Sequence, residues 1–144
     1  MNLLLLHAAV TWALIGLIWT IQLVQYPGFA LVGANEFPAY HEHHCARITW
    51  IVAPLMAVEL ATGLALHWDR PAGLSGAMIG TGLALIAVNW AWTAFVSVPL
   101  HRRLSGRVLQ VQAKLVATNW VRTVVWSARG AWALFALRTA LGQP

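Results

Sequence analysis

Charge is what this sequence has least of. Acidic residues number four, and charged residues of both signs make up 9% of the 144, against roughly 25% in soluble globular domains. That is too little polar surface to coat a soluble body of this length. Cysteine is nearly absent: Cys45 stands alone, which excludes an internal disulfide and leaves the redox compartment unread. No internal repeat and no low-complexity tract is present. Alternating ten-residue segments are missing too, which excludes barrel strands. The first apolar run, Leu3 to Val24, lacks a basic n-region and is longer than an h-region, so it reads as a span rather than a signal peptide. The formal net charge is +5, but the basic residues form no aromatic-interleaved patch, so no nucleic-acid partner is expected.

Apolar sequence is what is there. Hydrophobic residues make up 60% of the chain and mean hydropathy is +0.68. Four runs (Leu3 to Tyr26, Ile48 to Leu66, Ala77 to Leu100 and Leu115 to Leu137) reach the ~20 residues that cross a bilayer. The expected fold is all-α: an integral membrane four-helix bundle with short loops. It forms a single transmembrane domain over 1–144, with spans at 3–26, 38–67, 76–100 and 108–141. Pro27-Gly28 is expected to break the chain after the first span. Asn35 to Pro38 has the pattern of a capping residue with proline just inside the helix. Asp69 to Ser75 reads as a turn whose Ser75 caps the third helix, and Ser105-Gly106 separates the third from the fourth. Gly76, Gly80 and Ala84 form a small-xxx-small edge suited to close helix approach.

Orientation follows from the basic residues. The loops after spans one and three carry Arg47, Arg102, Arg103, Arg107 and Lys114, whereas the other side carries Arg70 and Arg138. The positive-inside rule puts the first group in the cytoplasm of a bacterial inner membrane and both termini in the periplasm.

Each span also has a polar stripe. At about 100° per residue, His7, Thr11, Gln22 and Gln25 fall in one sector. So do His41, His44 and Cys45, with Glu59 on the azimuth of His41. Asn89, Thr93, Ser97 and His101 are spaced by four, and Asn119, Arg122, Trp126 and Arg129 share a face. A bundle with a polar interior accounts for this, because lipid-facing stripes are costly. By depth, His41, His44, His101, Gln22, Gln25 and Asn119 gather near the cytoplasmic end. Glu59 and Asn89 lie at mid-membrane within reach of Arg122 and Arg129, and His7 stands apart near the outer surface.

Two chemistries follow. His41, His44 and His101 suit a transition metal, iron or copper, with open positions for substrate. Cys45 is either a thiolate ligand or a small apolar filler. Glu59, a carboxylate inside an apolar run, needs a partner or must be neutralised. Arg122 and Arg129 are the natural partners, and one of them is left to hold an anionic or carbonyl-bearing substrate. The expected function is oxidation or oxygenation of a small hydrophobic molecule, aromatic or quinone-like. Glu59 moves a proton, while Asn119 and Arg122, with Gln22 beside them, bind the cofactor or substrate oxygen. The competing expectations are a non-catalytic binder of haem or metal and a structural membrane subunit. Expected partners are membrane lipid, a hydrophobic small-molecule substrate and, as one assembly, a second copy of the chain.

Tyr40-His41-x-x-His44 followed by Pro54 and Glu59, with Val98-Pro99-Leu100-His101 and Asn119-Trp120-Val121-Arg122-Thr123, resembles an uncharacterised family of small bacterial four-helix membrane proteins over nearly the whole chain. More distantly, the Val-Pro-Leu and Asn-x-Val-Arg-Thr segments resemble the family of anthrone oxygenases, which oxidise polycyclic aromatic substrates. That family commonly has asparagine where His101 stands, so it does not imply the histidine cluster. His7, Pro54 and Met56 are similar to positions of the membrane-bound, haem-binding protoporphyrinogen oxidase, which would imply haem ligation at His7. Both relatives imply oxidation of flat, greasy molecules.

Overall fold

In a computed structural model, described here over residues 1–104 and 108–142, the chain forms four long helices and, among the described residues, no strand. They are α1 Asn2–Leu31, α2 Phe37–Trp68, α3 Gly76–Arg103 and α4 Leu109–Leu141. The first three are long and apolar enough to cross a membrane. The fourth was expected to match them. Its 33 residues make it long enough, at about 1.5 Å per residue, but Gln112, Asn119, Arg122 and Arg129 dilute its apolarity. All four are buried against the other helices.

Pro27 does not break α1. The five residues before Tyr26, Ile21–Gln25, form a π turn, and the helix continues through Tyr26–Gly28 into a final 3-10 turn, Phe29–Leu31. Proline lacks the N–H that an α-helix would need at that position, and a wider turn just ahead of it accommodates the gap. The same device recurs in α3, where the π turn Thr93–Ser97 precedes Val98-Pro99. An extra residue in one turn rotates everything beyond it by about 100°. In an unbroken α-helix, twelve residues would leave His101 about 120° from Asn89; the π turn reduces that to about 20°. The four-residue spacing seen in the sequence is therefore a stripe only because the helix is interrupted.

α2 begins at Phe37 with Pro38 in its first turn, but Asn35 does not cap it: the capping position is Glu36, without a side-chain cap bond. Ser75 does cap α3, its Oγ accepting from Met78 N–H at 3.1 Å. Gly73 takes φ 82° in the turn before it, a conformation that costs glycine little. Ser105-Gly106 and Arg107 lie outside the described residues.

The interior has three layers. One apolar cluster holds Leu14, Ile18, Phe29, Phe37, Met56, Leu115 and Trp126, and another at the opposite end holds Leu4, Leu66, Ile79 and Ala136. Between them lies a polar layer of His7, Thr11, Glu59 and Arg129, all with no exposed surface. Hydroxyls on the helices are satisfied locally, as when Thr93 donates to Asn89 O and Thr62 to Val58 O, both at 2.7 Å. The Gly76-Gly80-Ala84 edge is not where helices meet, since a Cβ on Gly80 would touch nothing. Close approach occurs instead at Gly63, Gly82 and Gly130, facing Ile86, Trp132 and Ile15.

Candidate functional site: a His–Cys–His cluster beside an apolar cavity

The polar layer comes first because it holds Glu59. Arg129 Nε donates to Glu59 Oε1 at 3.2 Å in a fully buried ion pair. Thr11 donates to the same oxygen at 3.1 Å and Trp126 Nε1 to Oε2 at 3.3 Å. The rest of the guanidinium is occupied too, by Gly82 O at 2.9 Å and His7 Nε2 at 2.7 Å. Because arginine can only donate, His7 Nε2 is the acceptor and Nδ1 carries the hydrogen, donated to Thr62 Oγ1 at 2.7 Å. His7 thus does not stand apart, as its depth suggested. It closes the network, and both its ring nitrogens are engaged, leaving neither free for haem iron. Of the two arginines expected near Glu59, the partner is Arg129. Glu59 itself lines neither of the two open cavities described next.

Nearer the α1–α2 loop, His41 Nε2 lies 3.0 Å from His101 Nδ1. Cys45 Sγ lies 3.5 Å from the first nitrogen and 3.7 Å from the second. Two imidazoles and a thiolate on one tetrahedral ion, at the usual bond lengths, would stand about 3.3 Å (N···N) and about 3.6 Å (S···N) apart. The three donor atoms are therefore within a few tenths of an ångström of a coordinating triangle. The expected trio had His44 in place of Cys45. On a helix, a residue four along is about 40° off axis and one three along about 60°, so Cys45 follows His41 more closely. His44 turns the other way and stacks on His101, with ring centroids 6.2 Å apart.

His101 is a partition. On one side, with His41, Cys45, Pro38, Glu42 and Arg102, it lines a cavity of about 650 Å³. On the other it lines a cavity of about 340 Å³ between α2 and the π turn of α3, whose walls include Ile48, Val52, Met56 and Trp90. Besides His101, its polar lining residues are His44, Tyr26, Arg122, Thr49, Thr93 and Ser97. Nothing in the sequence singled out Tyr26, whose hydroxyl lies 2.8 Å from His101 Nε2 and whose ring lines the same cavity as Arg122.

The cofactor- or substrate-binding trio does come together. Gln22 Oε1 accepts from Asn119 Nδ2 at 2.8 Å, and Asn119 Oδ1 accepts from Arg122 at 3.2 Å. Of the three, Arg122 reaches the apolar cavity, and its buried Nε has no partner. The amide of Asn89 is also buried without partners and does not join Glu59. Gln25 leaves the interior and donates to Tyr40 at 2.8 Å.

Compared with known proteins, the chain matches no family model, no curated protein and no solved structure.

Proposed function

We propose that this chain is an integral protein of a bacterial inner membrane, with both termini periplasmic, that oxidises or oxygenates a small hydrophobic molecule at a metal held by His41, Cys45 and His101. One observation carries the proposal: His101 belongs at once to the coordinating triangle and to the wall of the apolar cavity. Anything bound in that cavity lies one imidazole ring away from the ion. Two imidazoles and a thiolate suit copper or iron, and such an ion supplies electron transfer. The unpartnered Nε of Arg122 favours a ligand with an oxygen at its head, oriented by Arg122 while Asn119 and Gln22 fix the guanidinium. Glu59 serves here as a strut of the bundle rather than as proton carrier, because both its oxygens accept from buried protein donors, Arg129, Thr11 and Trp126.

The test is metal content together with turnover. Detergent-purified protein should carry near-stoichiometric copper or iron. It should consume oxygen with members of a panel of lipophilic phenols and hydroquinones, and the Cys45→Ser and His101→Ala proteins should lose both properties. A protein that retains metal but turns over none of the panel would instead be a metal-binding membrane protein without catalysis. One that retains no metal would be a structural subunit.

A further inference from the structure

The hydroxyl of Tyr26 has one hydrogen-bond partner among the described residues, His101 Nε2 at 2.8 Å, and the Arg122 guanidinium lines the same cavity. Arginine can only donate. Arg122 therefore offers the Tyr26 proton no acceptor, and the hydrogen-bond partner able to take it is His101 Nε2. Without metal this arrangement closes on itself: His101 Nδ1–H donates to His41 Nε2 across 3.0 Å, and Tyr26 O–H donates to His101 Nε2 across 2.8 Å.

A metal on His101 Nδ1 changes the tautomer. The Nδ1 lone pair goes to the ion, the hydrogen of the neutral ring must sit on Nε2, and Nε2 becomes a donor to Tyr26. Tyr26, 3% exposed, is then left with a hydroxyl hydrogen and no other hydrogen-bond partner for it among the described residues. The ring lines the 340 Å³ cavity, so an acceptor can come from a molecule bound there.

We propose that metal binding at His41–Cys45–His101 reorients the Tyr26 hydroxyl proton into the apolar cavity, making Tyr26 the hydrogen-bond donor to the bound molecule and coupling metal occupancy to the affinity for ligands that carry an acceptor oxygen. This rests on the metal reading above and extends it to a residue and a linkage. The coupling is reciprocal: a ligand oxygen in the cavity tightens metal binding by the same factor. A hydrocarbon of the same shape offers no acceptor oxygen, so it gains nothing from the metal.

The experiment compares acetophenone with ethylbenzene, similar in size but differing in the carbonyl, by isothermal titration of detergent-solubilised protein without metal and loaded with Zn²⁺. Zinc avoids turnover, and its content is measured on the same samples. In the parent protein, zinc should tighten acetophenone binding on the order of tenfold, the worth of satisfying one buried donor, and leave ethylbenzene unchanged. The Tyr26→Phe protein keeps the ring that packs on Phe29 and His101. It should bind zinc as the parent does and show no zinc effect on acetophenone. Zinc bound with no change in acetophenone affinity, an equal change for ethylbenzene, or an effect that survives in Tyr26→Phe overturns the inference while leaving the metal site standing. Absence of bound zinc overturns both.

Discussion

Replacing Glu59 with Gln distinguishes a strut from a catalyst. The change removes the negative charge paired with a guanidinium that is itself fully buried. Arg129 keeps two good acceptors, Gly82 O at 2.9 Å and His7 Nε2 at 2.7 Å, so the side chain need not leave the layer. The contacts of Glu59 fare worse. Its two oxygens accept from Arg129 and Thr11 on one side and from Trp126 on the other. An amide offers one oxygen and one NH₂. Whichever way it turns, either Arg129 or Trp126 meets a donor instead of an acceptor, at about 1–3 kcal/mol for the orphaned group. Together with the uncompensated charge, the loss should total about 3–5 kcal/mol, the usual range for breaking a buried pair.

Reversible unfolding in mixed detergent micelles measures this loss, and metal content per folded molecule is followed alongside it. Metal content should not change, since Glu59 lines neither cavity beside His101. The double change Glu59→Leu with Arg129→Met should cost less than Glu59→Gln alone, because an apolar pair leaves no charge buried. A Glu59→Gln loss under about 1 kcal/mol, or a drop in bound metal at full folding, would refute the assignment of Glu59 as a strut and return it to the chemistry.

Other substitutions test other parts of the structure. Gly82→Ala sets a Cβ 2.8 Å from the Trp132 ring, which is held by its own hydrogen bond to Met78 O. It should cost about 1–3 kcal/mol by overpacking. Gly130→Ala should cost less in the same unfolding assay, because it meets chiefly the flexible Ile15 Cδ1. His41→Ala should abolish the stoichiometric metal measured by plasma mass spectrometry, whereas His44→Ala should leave it in place, since His44 is outside the coordinating triangle. Gln22→Leu removes the acceptor shared by Asn119 Nδ2 and Thr123. It should destabilise the bundle by about 1–3 kcal/mol while leaving metal content unchanged.

The sequence by itself determined the fold class. Low charge and long apolar runs permit little except helices, because buried backbone must satisfy its own hydrogen bonds within each segment. It also determined that α4 presents Asn119, Arg122, Trp126 and Arg129 to the interior, since they fall on one stripe and two arginines on a lipid-facing stripe would be costly. Pairing and register were left to the tertiary structure. Helical periodicity orders residues around one helix but says nothing of which neighbour each meets. Glu59 could therefore have met Arg122 or Arg129, and His7 looked isolated until α2 and α4 closed on it. Cys45 and His44 lie about 40° and about 60° to opposite sides of His41, and the packing of α2 against α3 decides which of them joins the cluster. Two π turns, set by Pro27 and Pro99, re-aim Tyr26 and His101. Their effect is invisible to any count that assumes 3.6 residues per turn, which is why Tyr26, the link between the cluster and the cavity, could be found only once the helices were packed.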